Sequence, residues 1–233
     1  MFDLLEREGI LSPDAVVADV GSGTGILSRG FLDRGHRVYG VEPNTGMREA
    51  AERLLDGEER FTSVDGRAEA TTLPAGAVDL VAAGQAFHWF DPSGARAEFR
   101  RILRNERWVV LVWNVRRIQD VPAMTEYQEL VDRYARDPDP VTYRSLREDD
   151  LRSFYGGWEY RLVKLESSQA LDLDGLRGRL MSSSYAPEPG DPVCASLFED
   201  LERLFSDHAR DGLVTFEYET RLYYGRLNRG EQG

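Results

Sequence analysis

Three glycines at alternate positions follow an acidic residue in Asp19-Val20-Gly21-Ser22-Gly23-Thr24-Gly25. Glycine admits positive φ and carries no Cβ, so a loop with this spacing lets the backbone approach a bound molecule closely. A helix starting behind it offers N–H groups to an anionic group, here a carboxylate. Glu42 stands 17 positions after Gly25. An acidic side chain at the end of a neighbouring strand accepts hydrogen bonds from ribose hydroxyls. Further on, Gln85-Ala86-Phe87-His88-Trp89-Phe90-Asp91 combines an imidazole with aromatic rings. His88, with a reference pKa of roughly 6.5, is the candidate general base for a hydroxyl or amine substrate. Phe87, Trp89 and Phe90 either line a substrate pocket, where their π faces attract a cation, or pack beneath the next helix.

Other chemistries find less support. The dinucleotide fingerprint G-x-G-x-x-G, counted from Gly21, meets Ile26 at its last position, which disfavours a nicotinamide-dependent oxidoreductase. No His, Cys and Asp spacing suggests a metal site, and no G-x-S-x-G nucleophile motif occurs. His36 and His208 carry no assigned chemistry. Cys194, the sole cysteine, reads as a small buried hydrophobe.

The elements that must position these residues alternate. A strand over 15–20 leads into the glycine loop, and Ile26, Leu27, Phe31 and Leu32 mark one face of a helix that Gly35 terminates. Strand 37–41 ends at Glu42-Pro43-Asn44, and Met47, Ala50, Ala51, Leu54 and Leu55 give the next helix its apolar positions. Strand 61–64 precedes the loop Asp65–Glu69, and strand 77–83 precedes the aromatic segment. Asp91-Pro92 is an N-cap with proline at N1, opening a helix through about Leu103, and Trp108–Trp113 reads as a buried central strand. This order predicts an α/β fold with a mostly parallel sheet and helices on both faces.

Beyond Asn114 the alternation stops. Residues 1–113 are expected to form the core and 114–157 a helical cap insertion, with helices over 121–136 and 146–155. Residues 158–233 return to the sheet with strands over 160–170 and 214–224 and further cap helices over 172–182 and 192–210, all within one structural domain. Ser182–Tyr185, Arg177 and Arg179 fall in the expected cap, where an arginine can pair bidentately with an acidic substrate.

The chain carries 29 basic and 41 acidic residues, a formal net charge of −12. That balance argues against a broad nucleic-acid surface and favours a small-molecule partner. No apolar run approaches the roughly 18 residues of a membrane span. The acidic start Met1–Glu8 lacks a signal peptide's pattern, and one cysteine permits no internal disulfide, so a cytoplasmic location is expected.

Asp19–Gly25, Val41–Asn44, the loop 65–69, Val78–Val81 and Gln85–Asp91 together resemble the class I S-adenosylmethionine (SAM) methyltransferases of the small-molecule type 11 group. The segment Gln85–Asp91 is most similar to the trans-aconitate methyltransferase-like branch. The resemblance implies a seven-stranded Rossmann-like sheet, SAM as cofactor, and methyl transfer to a small acceptor, with a carboxylate as candidate. It places Gly21, Ser22, Gly23 and Gly25 near the methionine and ribose, and Asp19 toward the methionine amino group. Glu42 takes the ribose diol; Pro43, Asn44 and Met47 border the adenine; amides around Arg67 and Ala68 meet its edge; Gln85 sits under the sulfonium. Phe87, His88, Trp89 and Tyr185 are the candidate acceptor contacts.

Two departures from the family pattern stand out: Arg67 occupies a position where relatives often carry Asp, and little sequence precedes the first strand. The second suggests a cap supplied from elsewhere, such as the second subunit of a homodimer. It also keeps open a noncatalytic SAM-binding or partner-regulating protein on the same fold.

Overall fold

The computed structural model describes residues 1–118, 121–134, 146–156, 160–181, 186–187 and 190–227. In chain order the elements are α1 (Phe2–Arg7), β1 (Val16–Val20), α2 (Ile26–Leu32), β2 (Arg37–Val41), α3 (Thr45–Leu54), β3 (Phe61–Val64) and β4 (Val78–Gly84). A 3-10 turn (Phe87–Trp89) leads to α4 (Pro92–Ile102), β5 (Leu103–Arg116), α5 (Pro122–Tyr134) and α6 (Glu148–Tyr155). Then come β6 (Arg161–Leu171), α7 (Leu173–Met181), α8 (Val193–His208) and β7 (Val214–Arg226).

The sheet has seven strands in the order β3-β2-β1-β4-β5-β7-β6. β1 is parallel to both β2 and β4, β2 to β3, and β4 to β5. Chain order therefore reverses between β1 and β4, and the crevice at the carboxyl ends of such strands is where open α/β sheets take ligands. The apolar runs read as central strands are buried: Val17, Ala18, Val20, Leu80, Val81, Ala82 and Val109 to Leu111 are all almost inaccessible. Parallel strands covered on both faces need such runs rather than alternation.

Local rules place the helices. The Asn44 side chain accepts the Met47 amide at 3.0 Å and starts α3. Asp91 accepts the Gly94 amide at 2.8 Å and starts α4 with Pro92 at its head. The fifth strand begins at Leu103, directly at the end of α4, five residues before its expected start at Trp108.

The chain divides into two compact units. The first comprises Met1–Trp113, Leu146–Lys164 and Arg221–Gly233; the second comprises Asn114–Ser145 and Leu165–Thr220. α6 belongs with the first unit. The reason is aromatic packing: Phe154 meets Phe87 at 4.9 Å and Phe99 at 5.8 Å between ring centroids. The second unit has its own core, in which Met124 and Tyr127 of α5, Leu176 and Leu180 of α7 and Leu197, Leu201 and Leu204 of α8 pack with Phe216 of β7. β6, at the end of the strand order, is exposed along most of its length. Among the described residues no helix is long and apolar enough to cross a membrane.

Tyr155 is fully buried, and its hydroxyl donates between the Val109 and Tyr223 carbonyls at 3.3 and 3.1 Å, pinning α6 to β5 and β7. Tyr155→Phe leaves the ring and removes the hydroxyl, so it is expected to cost about 1–2 kcal/mol, read from the urea midpoint. An unchanged midpoint would show that the hydroxyl does not hold α6.

Candidate functional site

Gly21, Gly23 and Gly25 all adopt positive φ, +69°, +56° and +84°. Their reasons differ. A Cβ on Gly21 would lie 2.5 Å from Ala86 Cβ, and one on Gly25 would lie 3.0 Å from Leu55 Cδ1, so the loop is pressed against its own protein at both ends. A Cβ on Gly23 would meet nothing within 4 Å, so the space over it is open. Inside the loop, Gly21 and Ser22 donate to Val41 O at 2.8 and 3.2 Å, and Gly25 donates to Ser22 O at 2.9 Å. α2 then begins with no side-chain cap on its first turn.

Glu42 closes this arrangement. One carboxylate oxygen accepts the Gly23 amide at 3.0 Å and the other the Asn44 amide at 2.9 Å. The group is buried, yet each oxygen keeps a further lone pair, because a carboxylate has about four acceptor positions. Arg48 gathers the turn that follows, donating to Glu42 O and Pro43 O at 3.0 Å each and to Asp65 at 3.3 Å.

Asp19 is completely buried; Oδ2 accepts the Ser28 hydroxyl at 2.6 Å, while Oδ1 has no partner among the described residues. Burial pushes its pKa up to about 6 against the opposing hydrogen bonds from Ser28, and the nearby Glu42 charge adds to the rise. A buried acceptor without a donor is the feature expected of a protein holding a place for a cationic or N–H-bearing group.

The loop expected at the adenine edge is more closed than its sequence suggests. The Arg67 amide donates to Ala70 O at 3.2 Å, Ala68 is buried and the Arg67 side chain is exposed. What shapes this loop escaped the sequence reading. Glu98, buried on α4, accepts the Thr71 amide at 2.8 Å, the Thr71 hydroxyl at 2.5 Å and the Nε and Nη2 groups of Arg101 at 2.7 Å each. Arg101 in turn reaches Leu73 O at 2.7 Å. Arg101 above all, then Thr71, holds the Glu98 pKa down to about 2 against burial. The partners lie 27 residues apart along the chain, so no local pattern announces them.

After β4 the backbone turns through Gln85, whose φ of +56° is left-handed for a residue with a Cβ. Its amide donates to Val112 O at 2.9 Å. Phe87 is packed inside the first unit against Phe90 and Phe154 rather than presented outward. Trp89 is 69% exposed. Between them His88 lies 4.6 Å from the Trp89 ring and edge-on to Trp113 at 5.2 Å. Phe90 borders Gly21, so this segment and the glycine loop are neighbours. Met47 is half-exposed, and Pro43 and Asn44 are exposed, with the Asn44 side chain engaged as the α3 cap. Tyr185 and Ser182 lie outside the described residues. Arg177 is paired with Asp174 and Glu202. Among the described residues no cluster of His, Cys, Asp and Glu could hold a metal.

With this geometry in view, residues 18–111 match the model of a methyltransferase-domain family. An uncharacterized methyltransferase of Mycobacterium tuberculosis is 35% identical over 128 residues, 55% of this chain and 50% of that protein. The chain thus spans about half the length of the first curated relatives it matches. A solved candidate type II methyltransferase from Anaeromyxobacter dehalogenans superposes with a TM-score of 0.66 over 97% of this chain and 95% of that one, at 24% identity. Geranyl diphosphate C-methyltransferase from Streptomyces coelicolor A3(2), solved with S-adenosyl-L-homocysteine, superposes with a TM-score of 0.51 over 97% of this chain and 76% of that one, at 16% identity. These likenesses establish the Rossmann-like α/β fold.

Asp19 gives a direct check on the buried carboxylate. Its folded pKa lies above the unfolded value of 3.8, so folding takes up a proton between about pH 4 and pH 6. The stability it contributes is complete below pH 4 and is lost as pH rises through 6. A shift of this size corresponds to roughly 3 kcal/mol. Asp19→Asn cannot titrate, so relative to the wild type it is expected to gain about 2 kcal/mol on going from pH 4.5 to 7.5, measured by urea unfolding at each pH. Identical pH slopes for the two proteins would place the Asp19 carboxyl in contact with water.

Proposed function

We propose that this chain is a SAM-dependent methyltransferase acting on a small-molecule acceptor, with a carboxylate as the acceptor group. The observation that carries the reading is the joint between Gly23 and Glu42: a glycine with open space above it, tied at 3.0 Å to a buried carboxylate at the end of β2. SAM supplies the activated methyl of a sulfonium, so the protein's task is to bind, orient and exclude water.

Each residue has a task in that reading. The remaining lone pairs of Glu42 accept the ribose hydroxyls. Asp19, whose Oδ1 lacks a donor, accepts from the cofactor's ammonium, and the uncapped first turn of α2 faces its carboxylate. Pro43, Asn44, Met47, Arg67 and Ala68 border the adenine; Gln85, held at positive φ, lies by the sulfonium. Trp89 offers an exposed face to the acceptor, and His88 beside it can remove a proton from a hydroxyl or amine. A carboxylate acceptor is already an anion and needs no base. The acidic surface supports a small molecule rather than nucleic acid as partner, and the single cysteine fits a cytoplasmic setting.

Calorimetry with SAM and S-adenosylhomocysteine, with NAD as control, tests the cofactor. Both adenosyl ligands are expected to bind at micromolar Kd, roughly −8 kcal/mol. Gly23→Val is expected to abolish that binding by filling the open space and straining the loop. Turnover of labelled SAM over small carboxylic acids tests the reaction. With a carboxylate acceptor His88→Ala should leave kcat within about threefold, whereas loss of a working base costs about a hundredfold or more. No adenosyl binding, or undiminished binding by Gly23→Val, sinks the site; binding without any turnover favours the noncatalytic reading.

A further inference from the structure

The start of α4 is capped from two places in the chain. Asp91, the residue ahead of Pro92, accepts the Gly94 amide at 2.8 Å and the Ser93 hydroxyl at 3.0 Å. In a capping box the third helical residue is Glu or Gln, and its side chain reaches back to the amide of the capping residue. Here that position is Gly94, which has no side chain to send. The Asp91 amide donates instead to Glu69 Oε1 at 2.8 Å, a carboxylate 22 residues earlier. Gly94 makes the room for it: a Cβ there would lie 2.9 Å from Glu69 Cγ and 3.3 Å from Glu69 Cβ. The acid that a capping box needs is present, but it comes from another element.

The loop that carries Glu69 borders the candidate cofactor site at its other end. The Glu42 amide donates to Val64 O at 3.1 Å, and Arg48 joins Glu42 O and Pro43 O to Asp65. A Cβ on Gly66 would lie 3.1 Å from Val41 Cγ1. On the far side of the tie stands the aromatic segment. Its head is fixed where the Gln85 amide donates to Val112 O at 2.9 Å, and its tail where the Asp91 amide meets Glu69. Between these anchors the Trp89 and Phe90 amides bond within the 3-10 turn, and the Phe90 ring lies against Gly21. A glutamate at position 94 would serve the helix equally well. Only an acid on the loop also ties the helix start to the turn beside Glu42.

We propose that Glu69 is a positioning residue that couples the adenosyl side of the site to the acceptor side, linking the occupancy of the loop 65–70 to the order of Trp89, Phe90 and Asp91. The inference rests on the cofactor reading and gives Glu69 a task that reading did not. Coupling of this kind is reciprocal, so an acceptor seated on the aromatic segment tightens adenosyl binding by the same factor.

The test uses the full chain, S-adenosylhomocysteine as probe, calorimetry for affinity and amide hydrogen exchange for order. In the wild type the ligand is expected to slow exchange at the Trp89, Phe90 and Asp91 amides at least about fivefold. Glu69→Ala should bind it within about fivefold of the wild type, with the slowing reduced below about twofold. Glu69→Gln keeps an acceptor oxygen and should restore most of the response. The double variant Glu69→Ala, Gly94→Glu rebuilds the capping box locally. Its melting temperature should rise above that of Glu69→Ala while its response to the ligand stays lost, and it decides the matter if Glu69→Ala alone fails to fold. A response that survives in Glu69→Ala or returns in the double variant reduces Glu69 to a helix cap and overturns the proposal. So does a wild type that binds the ligand without slowing, or a Glu69→Gln variant no better than Glu69→Ala. No binding by the wild type instead overturns the cofactor reading, and the coupling with it.

Discussion

The Glu42 carboxylate is the interaction on which the candidate site depends. By accepting one amide from the glycine loop and one from the turn after β2, it fixes the ends of two adjacent strands against each other. Each turn has bonds of its own, the glycine loop to Val41 O and the Pro43-Asn44 turn through Arg48, and the carboxylate is the side chain that joins them. A charge-assisted acceptor shared between them turns two soft loops into one surface. The same carboxylate keeps lone pairs for a ligand, so the group that builds the site also belongs to it.

Two buried carboxylates in the first unit are treated in opposite ways, and the contrast separates binding from support. Glu98 is saturated by Thr71 and Arg101 and stays ionised at any ordinary pH. It locks the loop that follows β3 onto α4. Asp19 has one hydroxyl and an empty oxygen, and its charge is costly where it stands. A structure retains such a cost where a bound group will later relieve it. Stability is spread over the saturated networks, and the unsatisfied atom belongs to the strand that leads into the glycine loop.

Much of this was legible in the sequence because it is local. The Gly21, Gly23, Gly25 spacing, Glu42 at the end of the next strand, and the Asn44 and Asp91 caps each depend on a few neighbouring residues, and all of these residues stand where the strand and helix pattern puts them. What the sequence hid is nonlocal. The Glu98 network joins residues 27 apart, and α6 joins the first unit through aromatic contacts made across the chain. The aromatic run 87–90 could be read but not resolved, since only the 3-10 turn decides that Phe87 points inward and Trp89 outward. Gln85 carries no mark of its left-handed backbone, because glutamine is an ordinary residue almost everywhere else.

The exposed strand β6 bears on how the protein behaves in concentrated solution. A strand of 11 residues at the end of the strand order offers a row of backbone donors and acceptors to any other extended chain. Arg161, Lys164 and Glu166 interrupt its apolar positions Leu162, Val163 and Leu165 with charge. These side chains contribute little to folding, yet they act as gatekeepers against aggregation. Solubility during expression therefore rests on surface residues remote from the glycine loop, and a redesign that evened out their charge would put it at risk first.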